Sequence, residues 1–495
     1  MEEEREMSQG VLWLTELFLL LFVSLLIFQL LKLQWMRRRF PPGPSPLPMI
    51  GNLWLLGFCL EGKALMKLAS IYGNVFTVWI GETPVVVLNG YKAISEGLIS
   101  EELSGRPLTP FFRDLMGDKG VFLTSGHTWK QQRRYAFAAL RNLATSIQQR
   151  IQEEAGYLVK VLASKQGMAF EPKPDMVHAV ANVICTAVFG HRFSNEDDSF
   201  NKMIKAMYLI ISVPFTTWGM LYDAFPRIMP LLPGCHQQVL KCNDFFHEAV
   251  RKEVQSHQAK WKEGDKPQDL IDFYLDHMAK TKDDPTSTFS EDNMVQIMVD
   301  FLIGGTENTA SLLCGALLLM IKHPDVQEKV LEEVNAILEP SQTICYEDRT
   351  KLPYTTAVIH EILRFVNVAG TGPFRLCVKD TTMLGHPVAK GTLILPNLVS
   401  VLADPEHWAS PSKFDPGHFL DSKGNFVPQK AFLAFGIGRR VCLGEHMAWA
   451  ELFIFFVTVL RTFVVQLPEG EEEVDVHSIL QSPRQHHYNL RFAPR

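Results

Sequence analysis

The sequence predicts a mainly α-helical protein with a small β-rich part, one large domain behind a single membrane-crossing segment. Three observations carry that prediction. Residues 11–33 are almost continuously apolar. Helical periodicity then dominates from about Thr128 to Leu338. Short runs rich in Val, Ile and Thr appear near 75–88 and again near 376–400. With 47% hydrophobic and 21% charged residues over 495 positions, the chain has ample material for a core and is not disordered in composition.

Val11–Leu33 is long enough to cross a hydrocarbon layer of about 30 Å as a helix. Glu2, Glu3, Glu4 and Glu6 precede it, with only Arg5 basic; Lys32, Arg37, Arg38 and Arg39 lie at its far end. Basic residues stay on the cytosolic side, so everything downstream is expected there. A cleaved secretory signal would want a basic start and a small-residue exit, the reverse of this pattern. The expected organisation is a short lumenal N-terminus (1–10), a transmembrane anchor (11–33), a basic and proline-rich hinge (34–52) and one large domain (53–495). Pro41, Pro42, Pro44, Pro46 and Pro48 fix φ and stiffen the hinge.

The elements follow in order. Val75–Leu88 reads as two paired strands turning at Gly81–Pro84. Ile297–Met320 reads as one long apolar helix. A second membrane span competes, but Asp300 and Glu307 inside it favour a buried central helix. Glu445–Leu460 is helical again. No internal repeat is visible. The net charge of −6 offers no field for nucleic acid. The eight cysteines are scattered without a C-x-x-C pair, which excludes zinc-ribbon and thioredoxin-type motifs and points to a reducing compartment.

The string Phe435-Gly436-Ile437-Gly438-Arg439-Arg440-Val441-Cys442-Leu443-Gly444 stands out. Its glycines let backbone approach a flat ligand. Cys442 precedes a helix N-terminus, which favours the metal-binding thiolate. An isolated cysteine in such a turn would read as a buried free thiol; the whole string reads as a ligand. Glu361 and Arg364, three apart, share a helix face and can pair. Trp129 and Arg133, four apart, can present an aromatic ring and a cation to one anion.

The string resembles the haem-binding loop of the cytochrome P450 family, F-x-x-G-x-R-x-C-x-G. Glu361-Ile362-Leu363-Arg364 resembles its E-x-x-R, and Phe414-Asp415-Pro416-Gly417-His418-Phe419 its following loop. Trp129 and Arg133 are similar to its W-x-x-x-R. The P-P-G-P-x-P-L-P-x-I-G-N opening and P-G-H-F-L-D look most like the microsomal family-2 group. The resemblance implies haem b, with Cys442 the axial ligand and Phe435 in its loop. It implies Arg440, Trp129, Arg133 and Arg375 as propionate partners. Glu361, Arg364 and His418 become a structural triad. Phe111, Phe112, Phe122, Phe301, Gly305, Ala369 and Thr371 fall in substrate-facing segments, and the apolar run Met207–Met229 is expected to touch the bilayer.

The resemblance also implies insertion of one oxygen atom from O2 into a lipophilic substrate (a fatty acid, steroid or foreign compound), by hydroxylation or epoxidation. Electrons would come from NADPH through a flavoprotein reductase, with cytochrome b5 as a second donor. Lys130, Arg134, Arg141 and Arg439 would form the docking face. The place is the endoplasmic reticulum membrane, single-pass, with the catalytic domain cytosolic. One position departs from the pattern. The central helix of the family carries an acid–threonine pair, whereas this chain reads Gly304-Gly305-Thr306-Glu307-Asn308-Thr309. Proton delivery then rests on Glu307 and Asn308, or on Thr309 if the paired glycines permit a bulge. The departure keeps open a peroxide-rearranging isomerase of the same fold, and a non-catalytic haem-binding membrane protein.

Overall fold

The computed structural model describes residues 2–56, 60–368, 370–470 and 487–495. The chain forms two compact units, one of Met1–Gly105 with Gly370–Val401 and one of Arg106–Ala369 with Leu402–Arg495.

The first unit begins with the helix Glu2–Arg37, whose Trp13–Arg37 part is exposed and apolar enough to cross a membrane. The helix end is fastened. Arg37 donates to Ser45 Oγ and to the Gly43 carbonyl, both at 2.6 Å, and Lys32 pairs with Glu82 at 2.8 Å. The proline segment lies on the first strand, with the Thr77 N–H donating to the Pro42 carbonyl. Gly43 is required there, because a Cβ would fall 2.0 Å from the Thr77 carbonyl oxygen. The expected strand pair is present as Val75–Ile80 antiparallel to Thr83–Leu88. Leu393–Pro396 joins it in parallel and Arg375–Leu376 completes the four-stranded sheet. Phe76, Val78, Val85 and Val87 pack with Leu65 and Ala69 of the helix Gly62–Tyr72, the alternation expected of strands with a covered face.

The second unit is a helical body around Glu291–Lys322, which packs on the helices Lys173–Phe189, Cys235–Lys260 and Glu445–Thr462. Ser290 caps its start by accepting from the Asn293 N–H, and Glu291 and Asp292 complement the dipole. Although long and apolar enough to span a membrane, this helix is mostly buried in protein, so the central-helix reading holds over the second-span reading. It also runs unbroken, without the bulge that the paired glycines could permit. Gly305 serves packing instead: a Cβ on it would come 2.6 Å from Ile184, so glycine lets the two helices close. The seven described cysteines are free thiols.

Candidate active site

The structural triad forms from the helix Pro353–Val366 and the loop after it. Arg364 grips Glu361 with two bonds, Nε to Oε2 at 2.7 Å and Nη2 to Oε1 at 2.6 Å. Its remaining donors reach the carbonyls of Leu402, Pro411 and Lys413. Glu361 also accepts from the Asp415 N–H at 2.9 Å and lies 3.2 Å from His418 Nδ1. Glu361 and Arg364 are fully buried. Such a buried, many-bonded pair fixes the segment 402–418 and serves structure.

The Cys442 loop turns through left-handed residues at Gly436 (φ 75°) and Gly438 (φ 77°), and the Cys442 N–H bonds the Phe435 carbonyl at 3.0 Å. The helix Glu445–Thr462 starts three residues beyond the cysteine. The Cys442 side chain is open to solvent while walled by protein. Those walls push its thiol pKa up, against the Gly444 amide and the Arg133 guanidinium, which pull it down. A coordinated metal ion would override this balance, since a coordinating thiol is deprotonated outright.

Opposite this loop the central helix has one open stripe. Phe301, Gly304, Gly305 and Asn308 are not buried, while the residues between them are, a spacing that defines a single helix face. Two bridges bracket both surfaces. At one end Asp300 holds the backbone of Val121, whose carbonyl accepts from Arg440. At the other end Thr309 hydrogen-bonds Glu451 of the helix after Cys442. These bridges tie the central helix, on either side of the stripe, to the segment that carries Cys442, and the space between stripe and loop is the candidate chamber.

The propionate-type residues also come together. The guanidinium of Arg440 lies 3.9 Å from the Trp129 ring centre, and Arg133 donates to the Val441 carbonyl at 2.7 Å. Trp129 Nε1 is buried without a hydrogen-bond partner, a donor awaiting an acceptor. Arg106, which the sequence reading passed over, is buried beside them. Desolvation, then Arg440 and Arg133, lower its pKa to about 9. Three guanidinium groups and an indole N–H gathered this way fit a dianionic ligand. Cβ atoms added at Gly304, Gly436 or Gly444 would meet nothing within 4 Å. The donor set and the clearances therefore fit a haem.

Other residues fall less simply. Thr309 is buried against Glu451, so it is not turned to the chamber as a displaced alcohol. Asn308 is on the open face but donates to its own helix, to the Gly304 carbonyl at 3.3 Å. Glu307 is buried beneath the stripe, 3.7 Å from Lys173 Nζ, and accepts from Ser311 Oγ at 3.4 Å. Phe111, expected in the pocket wall, is fully buried and stacks on Tyr222 at 4.6 Å. Phe112 and Phe122 are partly open. Thr371 and Arg375 belong to the first unit, where Arg375 is buried on the sheet. Ala369 lies outside the described residues.

Two further surfaces of the second unit are exposed. Lys130, Arg133, Arg134, Phe137 and Arg439 rim a surface hollow floored by Trp129. Trp218, Leu221, Phe225, Ile228 and Leu231 form an exposed apolar run, within and just beyond the expected bilayer segment.

Comparison with known proteins agrees with this geometry. Residues 41–490 match the family model described as Cytochrome P450. The chain is 37% identical to Cytochrome P450 2M1 of Oncorhynchus mykiss over 473 residues, covering 93% of this chain and 94% of that one. It is 38% identical to Cytochrome P450 2C3 of Oryctolagus cuniculus, covering 88% and 90%. Against Cytochrome P450 2C8 of Homo sapiens it is 37% identical, covering 89% and 90%.

Proposed function

The chain belongs to the cytochrome P450 family and is an oxygen-using haem monooxygenase; on that premise we propose that it oxygenates a lipophilic substrate in the endoplasmic reticulum membrane with electrons from NADPH. The observation that carries the reading is the chamber itself, with Cys442 on one side and the open stripe Phe301–Asn308 on the other. Haem b bound there would supply oxygen activation, driven by thiolate donation.

The chain's own residues supply position and protons. Cys442 ligates the iron. Trp129, Arg133, Arg440 and Arg106 would hold the propionates. Phe122, Phe301 and Phe112 give the chamber apolar walls suited to a lipophilic molecule. Glu307, paired with Lys173, stands one residue from Asn308, whose amide can both accept and donate. Water is kept from the back of the helix by its buried packing.

The basic hollow around Phe137 suits an acidic flavoprotein reductase, with Lys130, Arg134, Arg141 and Arg439 steering the encounter and cytochrome b5 a second candidate for the same face. The apolar run about Phe225 gives a second bilayer contact besides the anchor, which holds the catalytic part on the cytosolic side.

The experiment reconstitutes the full chain with a flavoprotein reductase in liposomes. A lipid extract, NADPH and 18O2 are added, and products are read by mass spectrometry. One labelled oxygen atom per product molecule is expected. Because Asn308 stands where the family places an alcohol, a hydroperoxide is supplied in parallel. Turnover of the hydroperoxide without NADPH, and no labelled product, would establish the rearranging isomerase instead.

A further inference from the structure

Two tryptophans are tied to the Cys442 loop, and they sit in opposite electrostatics. Trp129 has the Arg440 guanidinium 3.9 Å from its ring centre and that of Arg133 at 6.0 Å. Trp449 lies on the helix Glu445–Thr462 that follows Cys442, and its N–H donates to the Glu445 carboxylate. The spacing of four places both side chains on one helix face. Neither propionate binding nor the Glu361–Arg364 pair uses Trp449.

An indole gives up an electron more readily than a phenylalanine ring or a neutral imidazole. Nearby charge then decides which indole does so. Two cations beside Trp129 oppose a positive hole there, whereas a carboxylate on the N–H of Trp449 favours one. The other surroundings of Trp449 agree. The His360 ring lies 4.2 Å away, centre to centre, and burial pushes its imidazolium down to about 4. At neutral pH it therefore adds no positive charge. Burial pushes the Glu445 carboxyl up, and the bond from Trp449 holds it down.

A short path joins this indole to the thiolate. The Cys442 N–H donates to the Phe435 carbonyl at 3.0 Å, and the Phe435 ring stands 5.4 Å from that of Trp449. Trp449 is only partly buried, so a reductant in solution can reach it.

We propose that Trp449 is a one-electron donor that discharges the haem site when that site is oxidised with no substrate in the chamber. This rests on the reading of Cys442 and the stripe as a haem chamber. The indole loses one electron and the haem site gains it. No bond forms or breaks, and the N–H proton stays on its bond to Glu445, whose charge stabilises the hole. The oxidising equivalents come from oxygen chemistry that finds no substrate, or from an organic hydroperoxide. A solution reductant later refills the indole. The departure at Asn308 gives the device its use, because a relay without the family's alcohol leaves more oxidising equivalents unspent.

The test uses the full-length holoprotein with Trp449→Phe and Glu445→Gln, each normalised to the haem it holds. Substrate-free protein is mixed with cumene hydroperoxide, freeze-quenched, and read by electron paramagnetic resonance. The unaltered protein should give an organic radical whose hyperfine structure changes when its nine tryptophans carry ring deuterium. That signal should be lost in Trp449→Phe, which keeps an aromatic ring against Phe435 and His360. In Glu445→Gln the radical yield should fall at least about threefold, since a carboxamide still accepts the N–H but carries no charge. Haem absorbance should bleach at least about threefold faster under hydroperoxide in Trp449→Phe, as the oxidant turns on its own site. A purely structural tryptophan would alter stability and have no radical to lose. No radical in the unaltered protein, a radical that survives in Trp449→Phe, or equal bleaching would each overturn the proposal. Should Trp449→Phe hold no haem, Glu445→Gln decides, and an unchanged yield there overturns it. Failure of the haem reading would show separately, as absence of the red-shifted carbon-monoxide band in the unaltered protein.

Discussion

The two sides of the chamber are built on opposite plans. The Cys442 side is loop backbone, fixed by Arg133 on the Val441 carbonyl and by Arg440 against Trp129, with the Glu361–Arg364 pair holding the segment that precedes it. The facing side is regular helix, and its open stripe carries a phenylalanine, two glycines and one amide bonded to its own backbone. An iron ligand must be held to a fraction of an ångström, and irregular backbone achieves that only with many outside bonds. A surface that receives ligand needs the opposite, a rigid element with little projecting from it. The departure at Asn308 falls on this second side, where a substitution disturbs nothing but the chamber.

The largest expected effect comes from the ligand side. Cys442→Ala should abolish the red-shifted absorption band of the reduced carbon-monoxide complex. A folded variant that kept the band would take the ligand role away from Cys442 and collapse the contrast between the two sides.

Next is the support behind the loop. Removing one partner of a buried ion pair leaves an uncompensated charge and typically costs about 3–5 kcal/mol. Arg364→Ala should therefore lower the melting temperature sharply and yield little haem-loaded protein. Near-normal stability would mean that the loop is held by its local turns alone.

The helix side should respond in reaction balance rather than in stability. Asn308→Thr supplies a hydroxyl on the open stripe, next to Glu307. Positioned acid–base groups contribute roughly 10²–10⁴-fold where proton transfer limits the rate. The share of NADPH electrons recovered in product should rise at least about twofold, with hydrogen peroxide falling to match. Tight coupling in the unaltered protein, unmoved by the substitution, would show that the Asn308 amide already serves.

The smallest effect lies away from both sides and separates site loss from general loosening. His257 bonds Asp269 at 3.0 Å and the Glu253 carbonyl at 2.8 Å, which raises its pKa from 6.5 to about 9. A raised histidine stabilises the fold fully below its unfolded pKa and loses that contribution as pH rises through about 9. His257→Gln should cost on the order of 1–2 kcal/mol at pH 6, after allowance for solvent screening. It should cost almost nothing at pH 10 and leave the carbon-monoxide band intact. Equal loss at both pH values would mean that the ring matters for packing rather than charge.

Much of this was legible in the sequence, because it is written in local spacing. A spacing of three from Glu361 to Arg364, a spacing of four from Trp129 to Arg133, and glycines around Cys442 translate directly into shared helix faces and tight turns. The central helix was legible from its length and its two internal acids. Arg106 was not: it has no spaced partner in sequence, and only its burial beside Arg440 and Arg133 reveals it. Lys173 and Glu451 were invisible for the same reason, since each meets the central helix from a distant segment. Phe111 misled because position in a loop says nothing of rotamer, and its ring turns away onto Tyr222. The glycine pair left a bulge open because small residues serve bends and close packing alike, and here Ile184 packs against Gly305.

The Thr309–Glu451 bridge has a consequence for how reactivity here can change. Desolvation raises the Glu451 carboxyl well above the ordinary range, opposed by its bond to Thr309. Both groups are buried, which makes the contact a peg in a hole that solvent and salt do not reach. The peg indexes the helix: it stops rotation about the long axis at one angular setting, with 308 outward and 309 inward. Turning the neighbouring hydroxyl into play would take about 100° of roll, the angle between successive residues, and would pull the peg. The chemistry at this wall can therefore be retuned one side chain at a time, at position 308 itself, while the shaft that carries it stays locked.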